Sequence, residues 1–368
     1  MVRVLHLISG DLWAGAEVMA FNLLKELKNL GLVQVSAVVL NDGILYRNLL
    51  QSGVGASLVD EAKYPFLRLG ERIRRILRNF KPDVVHAHRY KENLLAWLAT
   101  RGSPETRLLT TQHGLPELLG EKAHLRSRIV AAANFLVVRK FFNVAVAVSS
   151  DIARRFTEVY GFPSARVRQI YNGINPAPPD TLIFCKTPGR FCIGSAGRLF
   201  KVKDFPLMIE TAALATREER RVVFLLAGEG PERSSLEAQV ARLGLNEGFI
   251  FRGHVSSMET FYRGLDVYIN TSLHEGIPMS ILEAMGLGIP VVAPTVGGIS
   301  EIITDGVEGF LISQRDPRLF AQSCLTLFKD AGLRMRMSMA ARKRIVENFS
   351  ANTMAHKYSN LYNELVSN

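Results

Sequence analysis

Cysteine is scarce and without pattern. Cys185, Cys192 and Cys324 are the only three in 368 residues, and no two stand at the spacing of a disulfide framework or a thiolate zinc site. A reducing cytosol is the expected compartment, with these side chains as core filler. Met1–Gly10 has no basic start, apolar middle or small-residue cleavage pattern, so it reads as a first strand rather than a secretion signal. The longest apolar run, Ile129–Val148, is interrupted by Arg139, Lys140 and Asn143, which makes it too short and too charged to span a bilayer. A cytoplasmic protein, soluble or peripheral at the inner face of a membrane, is expected. The three-glycine spacing of a dinucleotide fingerprint is missing, which argues against a dehydrogenase. No recognised nucleic-acid motif or aromatic platform accompanies the basic helices, so no nucleic-acid partner is expected.

What is present suits two full cores. The chain is 48% hydrophobic and 21% charged, which excludes wholesale disorder and allows two domains. Its net charge of +11 belongs to the first half: residues 1–175 hold 24 Lys and Arg against 14 Asp and Glu, and the remainder 21 against 20. Arg68, Arg72, Arg75 and Arg78 fall at helical spacing within Tyr64–Phe80, interleaved with Phe66, Leu69, Ile73, Ile76 and Leu77, while Arg126, Arg128, Arg139 and Lys140 flank a second apolar helix. Such a face suits an anionic membrane or a phosphorylated acceptor, or equally is a solvated basic helix.

Apolar strands alternate with helices through the first half: Val2–Ser9, helix Ala16–Leu30, Val33–Leu40, Val54–Val59, helix Phe66–Phe80, Asp83–His88, helix Glu92–Thr100, Leu108–His113, helix Lys122–Phe141 and Val144–Ser149. This alternation predicts an α/β fold with a doubly wound parallel sheet, whose ligands bind beyond the carboxyl ends of the strands. Asn172-Gly173 followed by Pro176, Pro178 and Pro179 predicts a stiff linker over 176–190, and Phe191 restarts the pattern. The expected division is therefore 1–175, 176–190, 191–350 and a last helix within 351–368, with two sheets facing a central cleft.

The strand ends carry the chemistry. Asn270–Pro294 reads as a strand end, a polar turn over Ser272–Gly276, a helix opening at Pro278, and a second apolar strand. Glu275 stands just before the helix N-terminus, where free N–H groups attract an anion. Glu283, inside the helix after the apolar run Ile277–Leu282, is a carboxylate that needs a partner. Gly197-Arg198 with Lys203 before another helix predicts a diphosphate cradle: glycine admits the backbone, arginine offers a two-pronged grip and lysine a point charge. Gly228-Glu229-Gly230-Pro231 and Arg252-Gly253-His254-Val255 end two further strands. Gly10 and Gly15 precede a helix N-terminus, a natural phosphate seat. His86, His88 and His113 end strands; the first two share a face, but no carboxylate or cysteine joins them at ligand spacing, and no metal site is expected.

The stretch from His274-Glu275-Gly276 through Gly288-Ile289-Pro290-Val291-Val292-Ala293 resembles the Glu-x7-Glu signature of retaining glycosyltransferases of family 4, of the GT-B fold. Gly197-Arg198-Leu199 with Lys203-Asp204, Gly228-x-Gly230-Pro231, Gly297-Gly298, Glu301 and Asp305-Gly306 extend the resemblance, and Gly15-Ala16-Glu17 and His113-Gly114 are similar to the family's first-domain loops, with Ala14 replacing a glycine. The resemblance implies two Rossmann-like domains: an acceptor-binding 1–175, a nucleotide-sugar-binding 191–350, and a terminal helix packing back on the first. It implies a hexose-type sugar moved with retention from a nucleotide diphosphate sugar, UDP- favoured over GDP-linked, to a glycan or lipid-linked acceptor hydroxyl in cell-envelope glycan or polysaccharide biosynthesis. By the same resemblance Glu275 and the backbone of Gly276, Ile277, Pro278 and Met279 hold the sugar, Glu283 the ribose, Arg198 and Lys203 the diphosphate, Gly15, Gly197, Gly228, Gly230, His254 and Val255 further parts of the donor, and His113 the sugar from the other domain. No Asp-x-Asp occurs, so no metal and no cofactor beyond the nucleotide sugar is expected. A nucleotide-sugar epimerase and a non-catalytic nucleotide-sugar binder remain as alternatives on the same fold.

Overall fold

The computed structural model describes residues 1–114, 125–176 and 189–367. Most of the expected linker, residues 177–188, lies outside them, as do Cys185, the start of the helix expected at Lys122 and the side chains of Arg126 and Arg128. The chain divides into two compact units, Met1–Gly173 with Ala351–Asn368, and Ile174–Ser350.

The first unit is built on seven strands: β1 Arg3–Ile8, β2 Gln34–Val39, β3 Gly55–Leu58, β4 Val84–Ala87, β5 Arg107–Gln112, β6 Val144–Ala147 and β7 Val167–Gln169. They pair in parallel in the order β3-β2-β1-β4-β5-β6-β7. Helix Gly15–Leu30 follows β1 and covers one face because Met19, Leu23 and Leu27 recur one turn apart. It stops at Gly31, whose left-handed φ of 63° ends the helix without strain. Leu24 packs there with Ile8, Val39, Leu45, Leu49 and Val54. Each such buried side chain contributes about 1.5–3 kcal/mol.

Helix Ala351–Ser367 clusters with this unit although it comes last, burying Met354, Ala355, Tyr358, Leu361 and Tyr362 along one stripe against the helix Gly15–Leu30 and β4. The helix Phe66–Phe80 forms where its periodicity predicts it, but Leu69, Ile73 and Leu77 face the interior while Arg68, Arg72, Arg75 and Arg78 are exposed. Its apolar stripe is thus used by the fold; of its large apolar side chains, Phe66 and Leu67 stay exposed beside the arginines.

The second unit has six strands: β8 Phe191–Ala196, β9 Val222–Ala227, β10 Phe249–Gly253, β11 Val267–Ile269, β12 Val291–Pro294 and β13 Gly309–Ile312. All pair in parallel, in the order β10-β9-β8-β11-β12-β13. β8 and β12 are buried throughout, the signature of a sheet covered on both faces. In both units the order in which successive strands are added reverses beside the first strand: between β1 and β4, and between β8 and β11. Loops leaving those strand ends part to opposite faces and open a crevice at the carboxyl edge.

Candidate active site

In the second unit the crevice lies between the loops after β8 and β11. The β8 loop runs Gly197–Phe200 into a short turn of 3-10 helix at Lys201–Lys203, and Asp204 then takes a left-handed φ of 44° before helix Phe205–Glu218. A non-glycine residue rarely sits there without support. Arg315, just beyond β13, supplies it: its guanidinium grips the Asp204 carboxylate and donates to the carbonyls of Thr271 (2.6 Å) and Ser272 (3.1 Å). One side chain thus ties both loops. Thr271 Oγ1 donating to the Lys203 carbonyl (3.0 Å) and Leu273 N–H to that of Val202 (2.8 Å) complete the seam.

The seam brings Lys203 and Glu275 together. Lys203 Nζ lies 2.5 Å from Glu275 Oε1, and Ser272 Oγ donates to the same oxygen at 2.7 Å. Burial alone pulls the Lys203 ammonium down, but the carboxylate beside it wins and its pKa is raised. The two side chains expected to meet different parts of a ligand are therefore paired with each other. Arg198 lays its guanidinium over the Phe200 ring, 4.8 Å from the centroid, within the same loop.

Gly276, Ile277, Pro278 and Met279 are buried at the head of helix Met279–Gly286. Pro278, expected inside the first turn, is instead the residue before it, because its ψ of 117° is extended. Glu283 finds its partner in Tyr262, whose hydroxyl donates to Oε2 at 2.9 Å. Though Glu283 keeps partial exposure, desolvation of its carboxylate outweighs that bond and pushes its pKa up to about 7.

Gly228 and Gly230, expected to face a ligand, meet another backbone. A Cβ on Gly228, where φ is +135°, would stand 1.9 Å from the Gly197 carbonyl oxygen, and one on Gly230 2.6 Å from that of Leu199. Their first duty is to let the β9 loop close on the β8 loop, an association fixed by Leu199 N–H donating to Glu229 (2.9 Å) and Glu232 N–H to Leu199 (3.1 Å). Gly197 itself bonds across to Ala227 (3.0 Å). His254, exposed, and Val255 follow the end of β10 in the same row.

The first unit has its own crevice at the ends of β1, β4 and β5. Arg89 after β4 pairs with Asp11 after β1 (3.2 Å) and lies 2.5 Å from Glu17 in the following helix, without the alignment of a hydrogen bond. Glu17 is fully buried, and desolvation raises its pKa against the pull of Arg89. Gly15 is the exposed first residue of that helix. His113, just beyond β5, approaches His88 (3.3 Å), which in turn meets His6 of β1 (3.0 Å). His6, His86 and His88 converge closely enough to suggest a metal site. Their rings argue otherwise: His86 and His88 are stacked at 4.2 Å with 25° between planes, and in-plane lone pairs of stacked rings do not aim at one ion. Their nitrogens are turned to one another, to Thr111 and to Tyr362 instead.

Two family models match, Glycosyltransferase Family 4 over residues 13–178 and Glycosyl transferases group 1 over residues 190–330. The chain belongs to glycosyltransferase family 4. This glycosyltransferase is 24% identical over 367 residues to the "Lipopolysaccharide core biosynthesis glycosyltransferase LpsD" of Rhizobium meliloti, covering 98% of each chain. It is 28% identical over 249 residues to the "Uncharacterized glycosyltransferase MJ1607" of Methanocaldococcus jannaschii, of which the match spans only 63%. Its fold is that of the GT-B glycosyltransferases: the crystal structure of Anabaena Alr3699/HepE in complex with UDP and glucose superposes with a TM-score of 0.84 at 21% identity over 99% of this chain and 100% of that one. A glycosyltransferase from Rickettsia africae superposes with a TM-score of 0.81 at 21% identity, over 100% of this chain and 99% of that one.

Within the glycosyltransferase, sequence reasoning missed Ser272, Tyr262, Arg315, Arg89 and His6. Arg315 and Arg89 each stand just past a strand end, the one signal that would have marked them.

Proposed function

We propose that this glycosyltransferase moves a hexose-type sugar from a nucleotide diphosphate sugar, UDP-linked in preference to GDP-linked, to an acceptor hydroxyl with retention and without a metal ion, in building a cell-envelope glycan or polysaccharide. The observation that carries the reading is the convergence of Arg198, Lys203, Glu275 and the head of helix Met279–Gly286 at the β8–β11 crevice. Crystal structures of Alr3699/HepE in complex with UDP, with UDP and glucose, and with UDP-glucose support the donor class, and the similarity to LpsD, a lipopolysaccharide core biosynthesis glycosyltransferase, supports the glycan. Arg198, Lys203 and the helix N-terminus take the charge of the departing diphosphate, in keeping with a sequence that has no Asp-x-Asp. Glu275 with the Gly276–Met279 backbone holds the sugar hydroxyls and steadies the oxocarbenium-like charge. Glu283 accepts from the ribose; Gly197, Gly228, Gly230, His254 and Val255 border the nucleotide. Gly15 backs the phosphate and His113 the sugar. The C1–O bond to phosphate breaks, the acceptor oxygen bonds C1 on the same face, and the acceptor proton passes to the leaving diphosphate.

A turnover screen over UDP-, GDP- and ADP-sugars, with chelator present and the product anomer read by NMR, tests this; no turnover with any donor, an inverted product, or loss with chelator defeats it. The same screen has an expected pH dependence. Ribose hydroxyls bond the carboxylate form of Glu283, whose free pKa is about 7, so donor affinity falls as pH drops below 7, by up to about tenfold per pH unit, and Glu283→Gln flattens the slope.

We also propose that the exposed Arg68, Arg72, Arg75 and Arg78 hold an anionic membrane bearing a lipid-linked acceptor. With Leu69, Ile73 and Leu77 turned inward, this contact is electrostatic rather than insertive. Phosphatidylglycerol vesicles retain the protein at low salt and release it by about 1 M, where screening acts within ~3 Å. Equal retention of a variant carrying Arg72→Glu and Arg75→Glu rules this out.

A further inference from the structure

We propose that His88, His6 and the tyrosines of helix Ala351–Ser367 are positioning residues that hold His113 in the Nδ1–H tautomer, through a buried hydrogen-bonded chain ending at Tyr358. The links run from His113 Nε2 to His88 Nδ1 (3.3 Å), His88 Nε2 to His6 Nδ1 (3.0 Å), His6 Nε2 to Tyr362 Oη (3.4 Å), Tyr362 Oη to His86 Nδ1 (2.7 Å), His86 Nε2 to Thr111 Oγ1 (2.7 Å), and Thr111 Oγ1 to Tyr358 Oη (2.8 Å). All of these atoms belong to the first unit.

Proton positions follow from bookkeeping over the chain. Burial keeps His6 and His113 near pKa 3 and His86 and His88 well below their usual range, so each imidazole is neutral and carries one N–H. Every hydroxyl also carries one proton. A linear chain of such groups has one proton more than it has links; the spare one emerges at an end, or on a Tyr362 or Thr111 hydroxyl that accepts from both neighbours, where it would be a buried O–H with no further partner among the described residues.

Two directions are open. If His113 Nε2–H donates inward, each group passes its proton on toward Thr111, and the spare proton is the Tyr358 hydroxyl. That residue is fully buried, and Thr111 is its hydrogen-bond partner among the described residues, already donating to it. That direction leaves two buried groups unmet, the Tyr358 O–H and the lone pair of His113 Nδ1, and each is costly. If Tyr358 donates instead, Thr111 donates to His86 Nε2, His86 Nδ1–H to Tyr362, Tyr362 to His6 Nε2, His6 Nδ1–H to His88 Nε2, and His88 Nδ1–H to His113 Nε2. Every internal proton is bonded. The spare one is His113 Nδ1–H; Nδ1 is itself buried and has no protein partner among the described residues, so this direction leaves one buried group unmet where the other leaves two.

The second direction therefore holds, and it makes His113 a fixed donor at the strand end. Nδ1 is covered in this structure, and once uncovered such a donor suits a sugar hydroxyl oxygen or ring oxygen. That consequence rests on the proposed transfer reaction; the tautomer does not.

The test is a long-range proton–nitrogen correlation spectrum of the full chain labelled with 15N-histidine, at neutral pH, with His113 assigned by its loss in His113→Gln. All four of His6, His86, His88 and His113 are expected as Nδ1–H, the minor tautomer of free histidine. Finding any of them as Nε2–H overturns the chain. In His88→Phe, which keeps a ring in the stack but removes the donor to His113 Nε2, the His113 signal moves toward Nε2–H, and turnover falls about tenfold in kcat with little change in KM. A His113 signal that stays wholly Nδ1–H in that variant also overturns it. Should His88→Phe fail to fold, the wild-type spectrum decides alone, and it does so whether or not the chain transfers sugar.

Discussion

Glu275→Ala is expected to lower turnover by two to three orders of magnitude while leaving nucleoside diphosphate affinity within a few-fold. The carboxylate is held by Ser272 Oγ and Lys203 Nζ at the head of helix Met279–Gly286, where charge develops if a sugar departs from its phosphate. Losing one preorganised group aimed at such a charge costs about 10²–10³ in rate. The diphosphate grip is a separate matter. Arg198 is untouched, and Lys203, released from its ion pair, gains freedom to meet a phosphate that in the parent protein must compete with Glu275. Glu275→Gln separates charge from placement, since the amide keeps an oxygen for Ser272 but cannot balance Lys203. Product formation gives kcat and calorimetry with UDP gives Kd. If turnover stays within threefold, Glu275 has no part in the chemistry; if turnover and UDP binding vanish together, its role is to assemble the cradle rather than to act in it.

Gly297→Ala is expected to cost about 2–4 kcal/mol of stability and most of the activity with it. The residue sits at φ +51°, and a Cβ there would stand 2.0 Å from the Glu275 carbonyl oxygen, which also accepts from Gly298 N–H at 3.2 Å. Backbone cannot yield as a flexible side chain does, so the turn that carries Glu275 must move. Gly306 provides the control. It has φ +77° but open space around the missing Cβ, so Gly306→Ala pays only the left-handed backbone penalty of about 1–2 kcal/mol and keeps its activity. Thermal melts and turnover of both variants are the measurement, and equal melting temperatures with equal activity would contradict the collision.

Much of this architecture is legible before any coordinates. Parallel strands buried on both faces read as continuous apolar runs, and β1, β4 and β5 fall within a residue or two of their expected limits. Helix Phe66–Phe80 is found about where it is expected because its buried positions Leu69, Ile73 and Leu77 recur at helical spacing. Three elements left no comparable trace. Helix Ile44–Gln51 buries only Leu45 and Leu49, helix Ser150–Glu158 only Ile152 and Phe156, and β7 is three residues long with none fully buried. The charged residues of the cradle are legible through their types and spacing at strand ends. Their partners are not, because Tyr262 meets Glu283 across 21 residues of chain and Arg315 meets Ser272 across 43. Such pairs are created by the sheet order, which local pattern does not encode. The same holds for the basic helix, whose sequence shows an apolar stripe without saying that the fold consumes it.

The helix Ala351–Ser367 has a consequence for how the protein is made. Tyr358 and Tyr362 fill the interior of a unit whose other residues end at Gly173. During synthesis those 173 residues leave the ribosome before residues 174–350, yet they stay short of part of their hydrophobic filling until Ala351–Ser367 has been translated. Residues 174–350 are contiguous and wait for nothing downstream, so this module is complete on the ribosome before the unit that precedes it in the chain.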